Sequence, residues 1–200
     1  MDFVKQIATF LVDSTALKFG IFKLSSGKES PYYIDLRILP SFPQYFKLAI
    51  NAYKDTIEKH IGLDKFDYFC SIPTSGLVYA STLSYVINKP LVYVRKKIKT
   101  HGISKLIDGY LSPGSKVVII DDVVTTGNSI IDAVEAVTNN GSEVEYTVVL
   151  IDRLEGAASM LKKKDIKLIS VVNINDIANV LFDTGVLEED VLKAIRKQIK

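Results

Sequence analysis

Residues 116–130 read KVVIIDDVVTTGNSI. Val117 to Ile120 are consecutive β-branched apolar residues, the composition of a strand buried on both faces. Asp121 and Asp122 follow at once, then Val123 and Val124, then Thr125-Thr126-Gly127-Asn128-Ser129 leading into a helical pattern over residues 127–139. A strand that turns into a helix through glycine leaves free backbone N–H groups at the helix start, and the helix dipole adds to their attraction for an anion. Glycine lets a ligand approach the backbone closely, and the hydroxyls add donors. A phosphate is therefore expected on this turn. Asp121 and Asp122 would repel that phosphate, so they are expected to accept hydrogen bonds from sugar hydroxyls, or to help place a metal bound elsewhere on the same ligand. The whole run reads as a grip for a ribose 5-phosphate. The plainer alternative is a helix capped by Thr or Asn, with the acids as favourable first-turn charges.

Outward from this stretch, the segments YFCSI, PLVYV, EYTVVLI and KLISVV have the same strand-like composition. Helical patterns over residues 76–87, 127–139 and 155–163 separate most of them. Strands alternating with helices predict an α/β protein with a doubly wound, mainly parallel central sheet. Before it come a helical face (Phe3, Ile7, Phe10, Leu11), short strands within residues 20–36 and a helix over 43–61; Leu187, Val191, Ile195 and Ile199 suggest a closing helix. The 200 residues, 48% of them apolar, suit a single domain spanning residues 1–200. A net charge of +2 gives no global field for nucleic acid. The lone Cys70 reads as inert core in a reducing compartment, and the N-terminus lacks a signal-peptide pattern, so a soluble cytoplasmic protein is expected. Apolar runs are too short for the roughly 20 residues of a membrane span.

In such a fold, ligands bind beyond the carboxyl ends of the strands. Three further loops fall there. VRKKIKTHGISKLIDG brings Arg95, Lys96, Lys97, Lys99, His101 and Lys105 before the first acid, Asp108. It reads as a solvated basic loop or as a clamp for a pyrophosphate. IPTSGL offers Thr74, Ser75 and backbone N–H groups at a helix start, and equally fits ordinary turn chemistry. In LIDRLEG, Arg153 follows a strand; it is either a salt-bridged helix-start residue or a planar donor for a carboxylate or carbonyl edge. Tyr32 and Tyr33 are core or the wall of a ring site. GYLSPGSK precedes its strand and is a Pro-Gly turn, not a phosphate loop. His60 and His101, without a cysteine cluster, make no zinc site.

VVIIDDVVTTGNS resembles the signature of the type I phosphoribosyltransferases, which bind phosphoribosyl pyrophosphate (PRPP), and LKFGIFKLSSGKESPYYID, VRKKIKTHG and LIDR resemble, in order, blocks of the orotate phosphoribosyltransferases. The resemblance spans about residues 16–153. It implies transfer of the phosphoribosyl group from PRPP to orotate, giving orotidine 5′-monophosphate and pyrophosphate in pyrimidine biosynthesis. Transfer to another base, purine or uracil, and a non-catalytic PRPP sensor are the alternatives. It implies PRPP contacts at Thr74, Ser75, Arg95, Lys96, Lys99, His101, Asp121, Asp122, Val123, Val124, Thr125, Thr126, Gly127, Asn128 and Ser129, with Lys99, His101, Asp121 and Asp122 nearest the chemistry. Orotate falls to Thr125, Arg153, Tyr33 and Ile34, under a small N-terminal hood of about residues 1–40. Mg²⁺ is expected as cofactor, held mainly by PRPP and not by protein ligands. A homodimer with active sites shared across its interface is implied, with no nucleic-acid or membrane partner. Two family lysines are replaced, by Ser25 and Ser75.

Overall fold

The computed structural model describes residues 3–23, 29–95 and 106–199. Helix α1 (Phe3–Asp13) precedes a two-stranded antiparallel sheet, β1 (Leu17–Lys23) and β2 (Glu29–Ile34). A 3₁₀ turn (Leu36–Ser41) and α2 (Pro43–His60) follow. The main layer then alternates: β3 (Tyr68–Ser71), α3 (Ser75–Ile87), β4 (Leu91–Val94), β5 (Ile107–Asp108), β6 (Lys116–Val124), α4 (Asn128–Asn139), β7 (Glu143–Asp152), α5 (Ala157–Lys162) and β8 (Lys167–Asn173). Helices α6 (Ile174–Asp183) and α7 (Glu189–Arg196) close the described chain.

The central sheet has the order β5-β4-β3-β6-β7-β8 and is parallel except for the short edge strand β5. The chain winds outward from β3 to β4, then returns to the other flank of β3 as β6 and continues to β7 and β8. The order therefore reverses between β3 and β6, and a crevice opens at such a switch point.

Period-two alternation along β6 divides its apolar residues between two cores. Val118 and Ile120 belong to the core that α1, α2, α3 and α6 also line, whereas Val117 and Ile119 belong to the one lined by α4 and α5. Burial on both faces is why VVII is an unbroken apolar run. The doubly wound α/β architecture expected from sequence is the one observed.

Three elements depart from the sequence reading. Strand β6 does not stop before the aspartates: Asp121 pairs with Val149, and the ladder runs on to Val124 and Asp152. The sequence also gave no sign of β5, only two residues long, nor of α6. Helix α6 starts without a loop because Asn173 caps it. The Asn173 side chain accepts from the Asp176 amide at 3.0 Å and donates to the Asp176 carboxylate at 2.7 Å. Asn-Ile-Asn-Asp reads as a turn until that reciprocal cap is seen.

Cys70 is fully buried in β3, and burial pushes its thiol pKa up to about 12. At pH 8 the thiolate is then only about one part in 10⁴. The native protein should stay unlabelled by a disulfide-exchange reagent at pH 8 while the urea-unfolded protein labels within seconds. Comparable labelling rates in the two states would contradict this burial.

Candidate active site

Two helix N-termini face the switch-point crevice. Helix α4 starts after Gly127, whose φ of 86° is left-handed, the conformation glycine adopts without strain. Neither α4 nor α3 carries a side-chain cap. The first-turn N–H groups thus lack side-chain acceptors, and the reading of this stretch as a simple capped helix does not hold. At α3, the Ser75 hydroxyl oxygen is buried without a hydrogen-bond partner, and Thr74 is exposed beside it. A cleft of about 190 Å³ lies over the α4 start, lined by Asp121 and by Val123 through Ile130.

The aspartates stand in this crevice because β6 outruns β3. The last β3–β6 pair is Ser71 with Ile120. Past it, Gly76 at the start of α3 comes so close that an added Cβ would collide with the Asp121 carboxylate and sit 3.1 Å from its Cα. Asp121 Oδ1 accepts from the Asp122 amide at 3.0 Å, and the buried Tyr53 hydroxyl donates to the Asp121 carbonyl at 2.6 Å. Asp122 lies within electrostatic reach of Arg37 and Tyr79. Asp121 is thus held by a hydrogen bond from α2 and by close packing against the start of α3.

Arg153 follows β7, whose pairing with β6 brings its amide to the Val124 carbonyl at 3.0 Å. Asp152 shapes this end: its Oδ1 accepts from the Leu154 amide at 2.7 Å, and Leu154 takes a left-handed φ of 57°. Burial raises the Asp152 carboxyl pKa against that hydrogen bond. The turn sends the Arg153 side chain inward, where it is only 4% exposed. Its Nε donates to the Tyr32 hydroxyl at 3.1 Å and its Nη2 to Ser30 Oγ at 2.9 Å. Its guanidinium carbon lies 4.3 Å from the Tyr32 ring centre. Glu155 Oε1 is 2.8 Å from Nε, an ion pair outside hydrogen-bond geometry. Burial pushes the Tyr32 phenol up to about 12, so it stays protonated.

Tyr33 and Ile34 also belong to β2. Ile34 is buried, and Tyr33 is half-buried with its ring 5.7 Å from Phe22. The Tyr33 hydroxyl accepts from Arg37 at 3.1 Å, and Arg37 is itself clamped on Asp35. Arg95 makes a two-pronged pair with Asp108, joining the ends of β4 and β5. Lys96, Lys97, Lys99, His101 and Lys105, and Ser25, lie outside the described residues.

The fold therefore gathers Thr74, Ser75, Asp121 to Ser129 and Arg153 at one end of the sheet. Ser30, Arg37, Tyr53 and Glu155 escaped sequence reasoning. Tyr53 sits at a helical core spacing, and its one clue is that a buried phenol needs an acceptor. Nothing local marks Ser30 as part of the site: besides the neighbouring Tyr32 carbonyl, its partners Arg153 and Gln198 are more than a hundred residues away.

The family model described as phosphoribosyl transferase domain matches residues 43–189, which is the class this fold and crevice define. Among curated relatives, orotate phosphoribosyltransferases of Cenarchaeum symbiosum and Sulfolobus acidocaldarius are 43% and 40% identical over 98% of this chain, covering 98% and 94% of theirs. The crystal structure of orotate phosphoribosyltransferase from Aeropyrum pernix matches with a TM-score of 0.79 at 33% identity, over 91% of this chain and 99% of that one. Leishmania donovani UMP synthase matches with a TM-score of 0.85 at 34% identity over 96% of this chain, which spans 41% of that longer protein. The chain belongs to the orotate phosphoribosyltransferase family.

Gly76→Ala should push Asp121 out of place and lower kcat/KM for PRPP by about 10²-fold, the cost of a misplacement of about 1 Å. Steady-state kinetics with PRPP varied checks this; an unchanged value would show that the close approach is not required.

Proposed function

We propose that this chain transfers the 5-phosphoribosyl group of PRPP to a ring nitrogen of orotate, releasing pyrophosphate and forming orotidine 5′-monophosphate. One observation carries this reading: uncapped helix starts and a paired carboxylate occupy the same switch-point crevice, with a buried arginine at its edge. The α4 turn takes the 5-phosphate through the N–H groups and hydroxyls of Thr125 to Ser129. Asp121 and Asp122 accept hydrogen bonds from the ribose hydroxyls, and the backbone of Val123 and Val124 lines the same ligand. Thr74 and Ser75 face the pyrophosphate. The unpartnered Ser75 hydroxyl supports that role, since a buried hydroxyl without an acceptor carries a cost that a ligand oxygen removes.

No side-chain nucleophile is needed. The anomeric carbon loses pyrophosphate through an oxocarbenium-like transition state, and the orotate ring nitrogen attacks, its N–H proton passing to the departing pyrophosphate or to solvent. The chain's contribution is to align the two substrates, worth roughly 7–11 kcal/mol in general, and to present fixed donors where negative charge grows. Arg95, Lys96, Lys99 and His101 are assigned to the pyrophosphate. The donor set suits Mg²⁺, since Asp121 and Asp122 are adjacent hard oxygen donors at the crevice. Asp121 and Asp122 would help place an ion held mostly by PRPP oxygens, which neutralises charge on the departing pyrophosphate when bound.

Orotate is read by Arg153, by Thr125 and by the backbone groups of Tyr33 and Ile34, with the Tyr33 ring as a wall. Residues 1–40 act as a hood within a single domain, which the separate β1–β2 sheet supports. The working unit is a homodimer with active sites shared across its interface. The reaction runs in the cytoplasm; Cys70 is a free thiol, and no described helix is long and apolar enough to cross a membrane.

The protein is to be incubated with PRPP, Mg²⁺ and, separately, orotate, uracil, hypoxanthine and adenine. Turnover of orotate alone is expected. Turnover of another base with none of orotate would reassign the enzyme, and PRPP binding without turnover would make it a sensor. Arg153→Lys keeps a charge beside Glu155 but loses the planar fork. It should raise KM for orotate about tenfold or more while PRPP affinity by calorimetry is unchanged. Equal losses for both substrates would count against the assignment.

A further inference from the structure

Ser30 is buried at the start of the hood strand β2, and its hydroxyl is shared. It accepts from Arg153 Nη2 at 2.9 Å and donates toward the Tyr32 carbonyl at 2.8 Å and Gln198 Oε1 at 3.2 Å. Gln198, two residues beyond α7, also donates through Nε2 to the Glu29 carbonyl at 2.7 Å. One planar amide thus grips the backbone of Glu29 and the side chain of Ser30 together, which fixes the strand start in position and rotation. The far side of the same hydroxyl holds the guanidinium. Among the described residues, Arg153 Nη1 makes no hydrogen bond, so its two N–H groups remain for an acceptor whose approach depends on how Nε and Nη2 are held.

We propose that Gln198 is a positioning residue for base recognition, acting through Ser30 on Arg153. This rests on the reading of Arg153 as the orotate contact. Removing the amide frees the start of β2, lets the Ser30 hydroxyl turn fully to the Tyr32 carbonyl, and loosens the Nη2 anchor. The guanidinium, still paired with Glu155, then swings on the Tyr32 ring instead of being locked on it. The phosphate turn at α4 and the aspartates are built from other elements and stay in place.

The test uses the full chain as Gln198→Ala, Ser30→Ala and the combined variant, in steady-state kinetics with each substrate varied. Gln198→Ala is expected to raise KM for orotate about five- to tenfold, the size of one lost hydrogen bond, with kcat and KM for PRPP within about twofold. The combined variant should match Ser30→Ala alone, since one acts through the other. Parallel rises in KM for both substrates, multiplicative effects in the combined variant, or no change in Gln198→Ala would each overturn the positioning role. Parent protein that fails to turn over orotate defeats the functional reading itself, and that outcome is distinct because it appears before any substitution is made.

Discussion

The long parallel pairing of β6 with β7 is the constraint on which the rest depends. It runs to Val124 and Asp152, whereas the pairing of β6 with β3 ends at Ile120. The end of β6 therefore projects over a neighbour that has already turned into helix. A strand that projects in this way can place two adjacent carboxylates in a crevice without losing its backbone hydrogen bonds on the other side. Tyr53 and Gly76 complete the arrangement, the first by bonding the Asp121 carbonyl, the second by lacking a Cβ. The same ladder carries Arg153 to the Val124 carbonyl, so the α4 turn and the buried arginine share one register.

The second organising feature is a buried cation. A guanidinium that is 4% exposed is costly unless paired and hydrogen-bonded, and Arg153 has Glu155, Tyr32 and Ser30 around it. Such a nest adds little stability compared with an apolar packing of the same volume; its effect is to fix geometry. Its members come from β2 and the turn after β7, and Ser30 is held in turn by Gln198, so regions far apart in the chain meet on one side chain. The electrostatics around Arg153 therefore depend on how the β1–β2 sheet is seated as much as on the central sheet.

The βα units were legible because their signals are local. VVII announces burial on both faces, Thr-Thr-Gly-Asn-Ser announces a strand-to-helix turn, and helical spacing separates the strands. The uncapped turn and the two carboxylates were legible for the same reason: they are contiguous from Asp121 to Ser129. Helix α6 was not, because its start depends on a reciprocal Asn173–Asp176 cap inside a turn-like run. The length of β6 was hidden as well. Aspartate usually ends a strand, and here β7 supplies partners that extend it.

By itself, then, the sequence determined the fold class and the strand-to-helix turn that follows the paired aspartates, since both are written in neighbouring residues. Tertiary structure decided which cations are already engaged. Arg95 is paired with Asp108, and Arg153 is folded into a nest with Tyr32, Ser30 and Glu155. It also decided that Gln198 meets Ser30 across 168 residues of chain. The physical reason is one of range: turn propensity and helix dipoles act over a few residues, whereas the partners of a buried charge are chosen by whichever surfaces the folded sheet brings together.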